Sequence, residues 1–136
     1  MKKLFILLIP IISFSGCKKT INNAAEDIIV RAMTDGQWII TSFNDNGTDI
    51  TADYSSYKFQ YHSNRTVDAI KNGSVERSGN WEGYAETLSI WATFPGAPYP
   101  LDLINGTWQI TNNSWTFVEA RKTVGADVKT LRLDKL

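Results

Sequence analysis

From Gly36 to the C-terminus the chain alternates apolar and polar residues over short runs, and Gly, Asn, Asp and Pro break those runs at close intervals. A period of two turns one face of each run toward a core and the other toward water, as in half-buried strands. Residues 37–45 form the first run, stopped by Asp45-Asn46-Gly47. Residues 54–62 alternate most strongly, with Tyr57, Phe59 and Tyr61 on one face and Ser56, Lys58, Gln60 and His62 on the other. Runs 66–71 and 74–81 flank Asn72-Gly73, the dipeptide of a tight two-residue hairpin. Runs 87–94, 107–111, 114–121 and 128–135 follow. Turns at Glu82-Gly83-Tyr84, Asn112-Asn113 and residues 122–127 part them, as does a long loop over 95–105 with three prolines.

These are eight strands with no helical crossover among them. Short connections imply antiparallel neighbours. The expected fold class is therefore all-β: an eight-stranded antiparallel up-and-down barrel, which leaves no open edge. A flattened sandwich is the alternative. Ahead of the strands, residues 24–33 predict a short N-terminal helix. Asn22 or Asn23 caps it, Glu26 and Asp27 sit where the helix dipole favours acids, and Ala25, Ile28, Ile29, Ala32 and Met33 share one apolar face. The β-branched Ile28-Ile29-Val30 makes a strand the competing reading.

The first sixteen residues read as a leader rather than as part of the fold. Met1-Lys2-Lys3 is a positive head, and residues 4–12 are a nine-residue apolar run. That run is too short to span a membrane, which takes about 20 residues, and it has the form of a secretory signal. Ser13-Phe14-Ser15-Gly16-Cys17 follows, with the only Cys of the chain at its end. This stretch resembles the lipobox of bacterial lipoproteins; the other reading is an ordinary signal peptide that happens to contain a Cys. The resemblance implies cleavage before Cys17 and acylation of both its thiol and its new amino end, with palmitate the kind of chain expected. More than one acyl chain is what stable anchoring needs. The domain plan is thus 1–16 signal peptide, 17–23 lipidated Cys and polar tether, and 24–136 barrel domain with its helix. The mature chain would carry 12 basic and 14 acidic side chains.

Three Gly-x-Trp steps stand out: Gly36-Gln37-Trp38, Gly79-Asn80-Trp81 and Gly106-Thr107-Trp108. The first follows the helix and opens the first strand. That placement resembles the lipocalin signature, in which the Trp plugs the closed end of the barrel. Residues 38–49 and 57–67 are similar to the small lipocalin-like domains of Gram-negative lipoproteins, although Arg65 stands where a Gly is more usual. The resemblance covers roughly residues 36–136. It implies a barrel that takes a small, mostly apolar ligand, and an anchored protein at the outer membrane facing the periplasm. The chain is shorter than secreted lipocalins, and it lacks a clear C-terminal helix and a Thr-Asp-Tyr-type signature. These departures bear on the pocket more than on the barrel. A Trp beside a turn Gly is foremost a core anchor, so Gly36, Trp38, Gly79, Trp81, Gly106 and Trp108 are expected to be structural.

Residues 36–136 hold five Trp, five Tyr and four Phe. An eight-stranded interior is just wide enough to be filled by side chains or to hold one small ligand, so this aromatic load leaves room for a short chain, a single ring system or nothing. Candidate ligand-binding residues are Tyr57, Phe59 and Tyr61, with Arg77. Alternation over Val75, Arg77, Gly79 and Trp81 sets Arg77 in phase with the inward face, where a guanidinium would hold a carboxylate. The other reading of Arg77 is a barrel-mouth or outward side chain displaced by a bulge at Gly79.

No catalytic, metal or cofactor site is expected. The chain has one His, one Cys, no Gly-x-Ser-x-Gly elbow, no phosphate loop and no His-Glu-x-x-His. Fourteen basic residues balance fourteen acidic ones, which leaves no electrostatic footprint for nucleic acid. Two functions remain. One is a lipid-anchored module binding a small apolar molecule inside the barrel. The other is a structural or protein-interaction module with a filled core, working through the 95–105 loop.

Overall fold

The computed structural model describes the backbone from Ser15 to Leu136 and the side chains from Ala24 onward. The leader segment 1–14 and the Cys17 side chain lie outside the described residues. A helix, α1 (Ser15–Thr34), precedes strands β1 (Trp38–Asp45), β2 (Thr48–Asp49), β3 (Tyr57–Tyr61), β4 (Thr66–Lys71), β5 (Ser74–Tyr84), β6 (Ser89–Thr93), β7 (Gly106–Asn113), β8 (Phe117–Val124) and β9 (Asp127–Lys135). Short 3₁₀ turns occupy Thr51–Tyr54 and Leu101–Ile104. All strand pairs are antiparallel, and each strand from β3 to β8 pairs with the next in sequence. β1 then pairs with β9 over seven residue pairs, from Trp38–Lys135 to Asp45–Lys129, and closes the ring. β2 only folds back on the end of β1, so the barrel has the eight strands expected.

The ring is thinnest between β1 and β3, which share one bridge, Trp38–Phe59. Beyond it the chain supplies other partners for the backbone of β1. Ile50 N–H donates to the Phe43 carbonyl, and Phe43 N–H donates to Thr51 Oγ1, each at 2.9 Å. The buried edge is satisfied by a 3₁₀ turn instead of a strand.

The inward face is largely apolar, with Lys129 the buried charge on it. Trp38, Phe43, Phe59, Val67, Ala69, Trp81, Phe94 and Trp108 are all buried. Ile40 and Phe43 both face inward although they are three residues apart, because a bulge at Thr41 inserts one residue. The three Trp of the Gly-x-Trp steps are fully buried, and each indole N–H meets a backbone carbonyl: Trp38 to Met33 at 2.9 Å, Trp81 to His62 at 3.0 Å and Trp108 to Ile104 at 2.7 Å. A buried Trp thus keeps its polar handle paired and ties a neighbouring segment to the barrel. Trp38 ties down the end of α1, and Trp108 the second 3₁₀ turn.

α1 differs from its expected extent. It runs through residues 18–23, which read as a tether. No Gly or Pro interrupts the chain between Cys17 and Asp35, so nothing local stops the helix there. Gly36 ends it, at φ 84°, with Asp35 N–H bonded to the Arg31 carbonyl. α1 then crosses the barrel end that Trp38 plugs. Gly83 makes this possible, since a Cβ there would sit 2.6 Å from Ile29 Cγ2. Among the described residues no helix is long and apolar enough to cross a membrane.

Two turn assignments and one strand start are also corrected. Glu82-Gly83-Tyr84 belongs to β5, because β5 pairs with β4 through Asn80 and with β6 from Asn80 to Tyr84. Asn112-Asn113 belongs to β7, held by Glu119 and Val118 of β8. The strand expected from residue 54 starts at Tyr57, after the first 3₁₀ turn. Cross-strand pairing overrides local turn chemistry at Gly83 and at Asn112-Asn113, whereas before Tyr57 a turn takes residues whose alternation reads as strand.

Candidate functional site

The barrel encloses little space. Ile40, Phe59, Tyr61, Ile90, Trp108 and Val118 are among the walls of an inner cavity of about 30 Å³. A water needs roughly 10–15 Å³ measured this way, so the cavity suits a water or two. Its walls offer an all-apolar set of side chains except for the Tyr61 hydroxyl, whose burial pushes its pKa up.

A larger apolar space lies at the α1 end. A cleft of about 200 Å³ opens between Ile28, Ile29, Ala32 and Met33 of α1 and the barrel rim at Trp38, Ile90, Ile110 and Val118. The tip of the β7–β8 hairpin, Asn113, Ser114 and Trp115, forms its outer wall. Ile90 and Val118 belong to both spaces, so the cleft backs onto the inner cavity. Ile28 and Trp115, 56% and 50% exposed, mark an apolar rim. Beside the cleft, Lys135 pairs across the sheet with Trp38. Its ammonium lies 5.1 Å from the Trp38 ring centre, 5.0 Å from that of Trp115 and 3.5 Å from Asp35 Oδ2.

The opposite end is shut. Tyr54 stacks on Phe43 with ring centres 4.8 Å apart, and its hydroxyl donates to the Pro100 carbonyl at 2.7 Å. Burial pushes the Tyr54 phenol far up. The Tyr99 hydroxyl donates to Asp53, which joins the two 3₁₀ segments. Lys122 Nζ lies 4.9 Å from the Trp108 ring centre and donates to the Leu103 and Asn105 carbonyls at 2.8 and 2.7 Å. Burial draws its pKa down. Lys129, itself buried, bonds Asp127 and lies 3.2 Å from Asp45.

The candidate ligand residues do not converge on one site. Phe59 and Tyr61 line the inner cavity. Tyr57 lies toward the shut end, 6.2 Å from Phe59, where burial and a hydrogen bond to Glu76 push its phenol up to about 12. Arg77 pairs with Ala69 on the inward face, but its guanidinium runs to the rim of the shut end and reaches the Pro95 carbonyl at 3.5 Å. The bulge beside it is at Glu76, the extra β5 residue facing Ala69 and Ile70, not at Gly79. Gly79 instead lets β5 and β6 pack closely, since a Cβ there would fall 1.9 Å from the Thr93 carbonyl oxygen. Gly106 opens β7 against the Lys122 stem.

Among the described residues no three His, Cys, Asp or Glu side chains converge as metal ligands. His62 Nε2 lies 2.8 Å from Asp68, whose other oxygen accepts from Ser78 at 2.6 Å. Those two bonds, Ser78's foremost, lower the Asp68 pKa. The sequence flagged the apolar face of α1 but not the cleft it makes. Trp115 and Lys135 gain their places from hairpin geometry and from the register of β9 against β1.

No protein-family model matches the chain, and no curated protein matches it. Solved structures do. A crystal structure of a DUF4847 family protein from Bacteroides vulgatus matches with a TM-score of 0.54 at 8% identity, over 78% of this chain and 96% of that one. Japanin from Rhipicephalus appendiculatus, bound to cholesterol, matches with a TM-score of 0.50 at 7% identity, over 77% of each chain. At such identities the likeness establishes the fold: a lipocalin-like barrel.

Proposed function

We propose that the chain is a binding protein, not an enzyme, anchored in the cell envelope by lipid and taking a small, mostly apolar molecule. The observation that carries this reading is the apolar cleft under α1, backed by the inner cavity. A ligand wholly inside the barrel, as expected from the sequence, does not fit about 30 Å³. Ligand pockets usually span about 300–1,000 Å³, so a cleft of about 200 Å³ favours a short chain or single ring over a sterol. Japanin's cholesterol supports an apolar ligand in this fold; the aromatic filling here argues for a smaller one.

The lipobox-like Ser15-Gly16-Cys17 after its apolar run supports the anchor. Cys17 and Ile28 share α1, which puts the cleft about 17 Å along the helix from the acylated residue. Lys18-Lys19 carries no acidic signal for surface export, which favours the periplasmic side of the outer membrane. Intact mass of protein from a Gram-negative host should show loss of residues 1–16 with added acyl mass. A free thiol on a mature Cys17 contradicts the anchor.

The cleft is tested with a chain starting at Lys18 and octanol, with the heat of binding as the readout. Saturable binding that Ala32→Trp removes supports the reading. Binding that survives Ala32→Trp, or none at all, overturns it; the latter outcome leaves the filled-core interaction module.

A further inference from the structure

We propose that the cleft is built for an amphipathic monoanion, with Lys135 taking the ligand's carboxylate while its alkyl or ring part lies under α1. This rests on the cleft being the binding site. Among the described residues, Lys135 Nζ is the one buried side-chain nitrogen or oxygen without a hydrogen-bond partner. The Lys135 side chain is 10% exposed. An ammonium has three N–H groups to place, and leaving them unpaired away from water is costly. The two indoles contribute cation–π attraction, which offsets part of the charge cost but gives the N–H groups no nitrogen or oxygen acceptor. Asp35 is near enough for Coulomb attraction but, at 3.5 Å and with its side chain 67% exposed, remains largely with solvent.

Both indoles that hold the ammonium also line the cleft. Trp38 is fixed by its bond to Met33, whereas Trp115 is half exposed at a hairpin tip. Trp115 is therefore the cover. When its indole turns outward, Nζ opens onto the apolar space, and a carboxylate arriving there gains charge-assisted hydrogen bonds. Asp35 competes with the ligand for the same ammonium.

The test uses the full chain in phosphatidylcholine nanodiscs, titrated with octanoate, octanol and octylammonium against empty nanodiscs, with tryptophan fluorescence as the readout. Octanoate should bind most tightly and octylammonium least. Lys135→Met should cut the octanoate-over-octanol preference about tenfold or more, the scale of one hydrogen bond to a charged group. Asp35→Asn, an exposed change that leaves the core alone, should raise octanoate affinity by removing the competing carboxylate. Octanol bound at least as tightly as octanoate by the unaltered chain, or a preference that persists in Lys135→Met, or octanoate weakened by Asp35→Asn, overturns the proposal while the cleft stands. If neither octanoate nor octanol binds, the cleft reading and this one fall together.

Discussion

Trp38 joins three parts of the molecule. It pairs with Lys135 across the closing seam, bridges to Phe59 at the thin one, and bonds the end of α1 through Met33. Removing so buried a ring leaves a cavity where three segments meet. Trp38→Ala should therefore cost about 3–5 kcal/mol, a large share of a typical total of about 5–15 kcal/mol. A urea titration whose midpoint does not move contradicts this. Gly83 makes a complementary prediction. Its missing Cβ is the space that Ile29 Cγ2 fills, so Gly83→Ala should destabilise by about 1–3 kcal/mol through overpacking. Adding Ile29→Ala should recover part of that loss, because the two changes share one contact. Strict additivity in the double-mutant cycle would place α1 elsewhere.

At the scale of elements, the β1–β9 seam is laced by charge as well as by backbone. Asp127 bonds Lys129 and Asn46, in that order of importance, and both hold its pKa below the usual 3.8. Asp134, bonded chiefly to Arg132 and then to Thr41, is lowered too. A carboxylate held lower in the folded chain than in the unfolded one adds stability above its unfolded value. That stability is lost as pH falls through the depressed folded value. Unfolding midpoints should thus fall with acid below about pH 4, and the Asp127→Asn, Asp134→Asn pair should flatten that limb. Equal slopes in both proteins contradict the assignment. Most of these elements could be read from alternation and turn dipeptides: β4 and the Asn72-Gly73 hairpin agree residue for residue. The ends of β5 and β7 could not, because Gly83 and Asn112-Asn113 carry turn chemistry that long-range pairing overrules. The bulges at Thr41 and Glu76 were equally hidden, since a bulge shifts the inward phase without changing residue type.

At the scale of the whole molecule, eight short strands make the barrel legible in the sequence, and the aromatic load limits its interior to a short chain, a single ring or nothing. The position of the free space is not legible there. It depends on where α1 lands and on the tip of the β7–β8 hairpin, and neither leaves a local mark in the sequence. Arg77 had the right phase, yet its length carries the charge to the shut end. Lys135 looked like an ordinary last strand residue until the register set it between two indoles. Deleting α1 through Met33 should therefore abolish apolar binding while the β-rich circular dichroism of the barrel persists; retained binding would move the site inside. The most direct measurement is methyl NMR of the chain titrated with octanol, which reports where the alkyl chain rests. The cleft account predicts shift changes and ligand contacts at Ile28, Ile29, Ala32 and Ile110. Changes centred on Ile40, Leu131 and Leu133, with the α1 methyls unmoved, would contradict it.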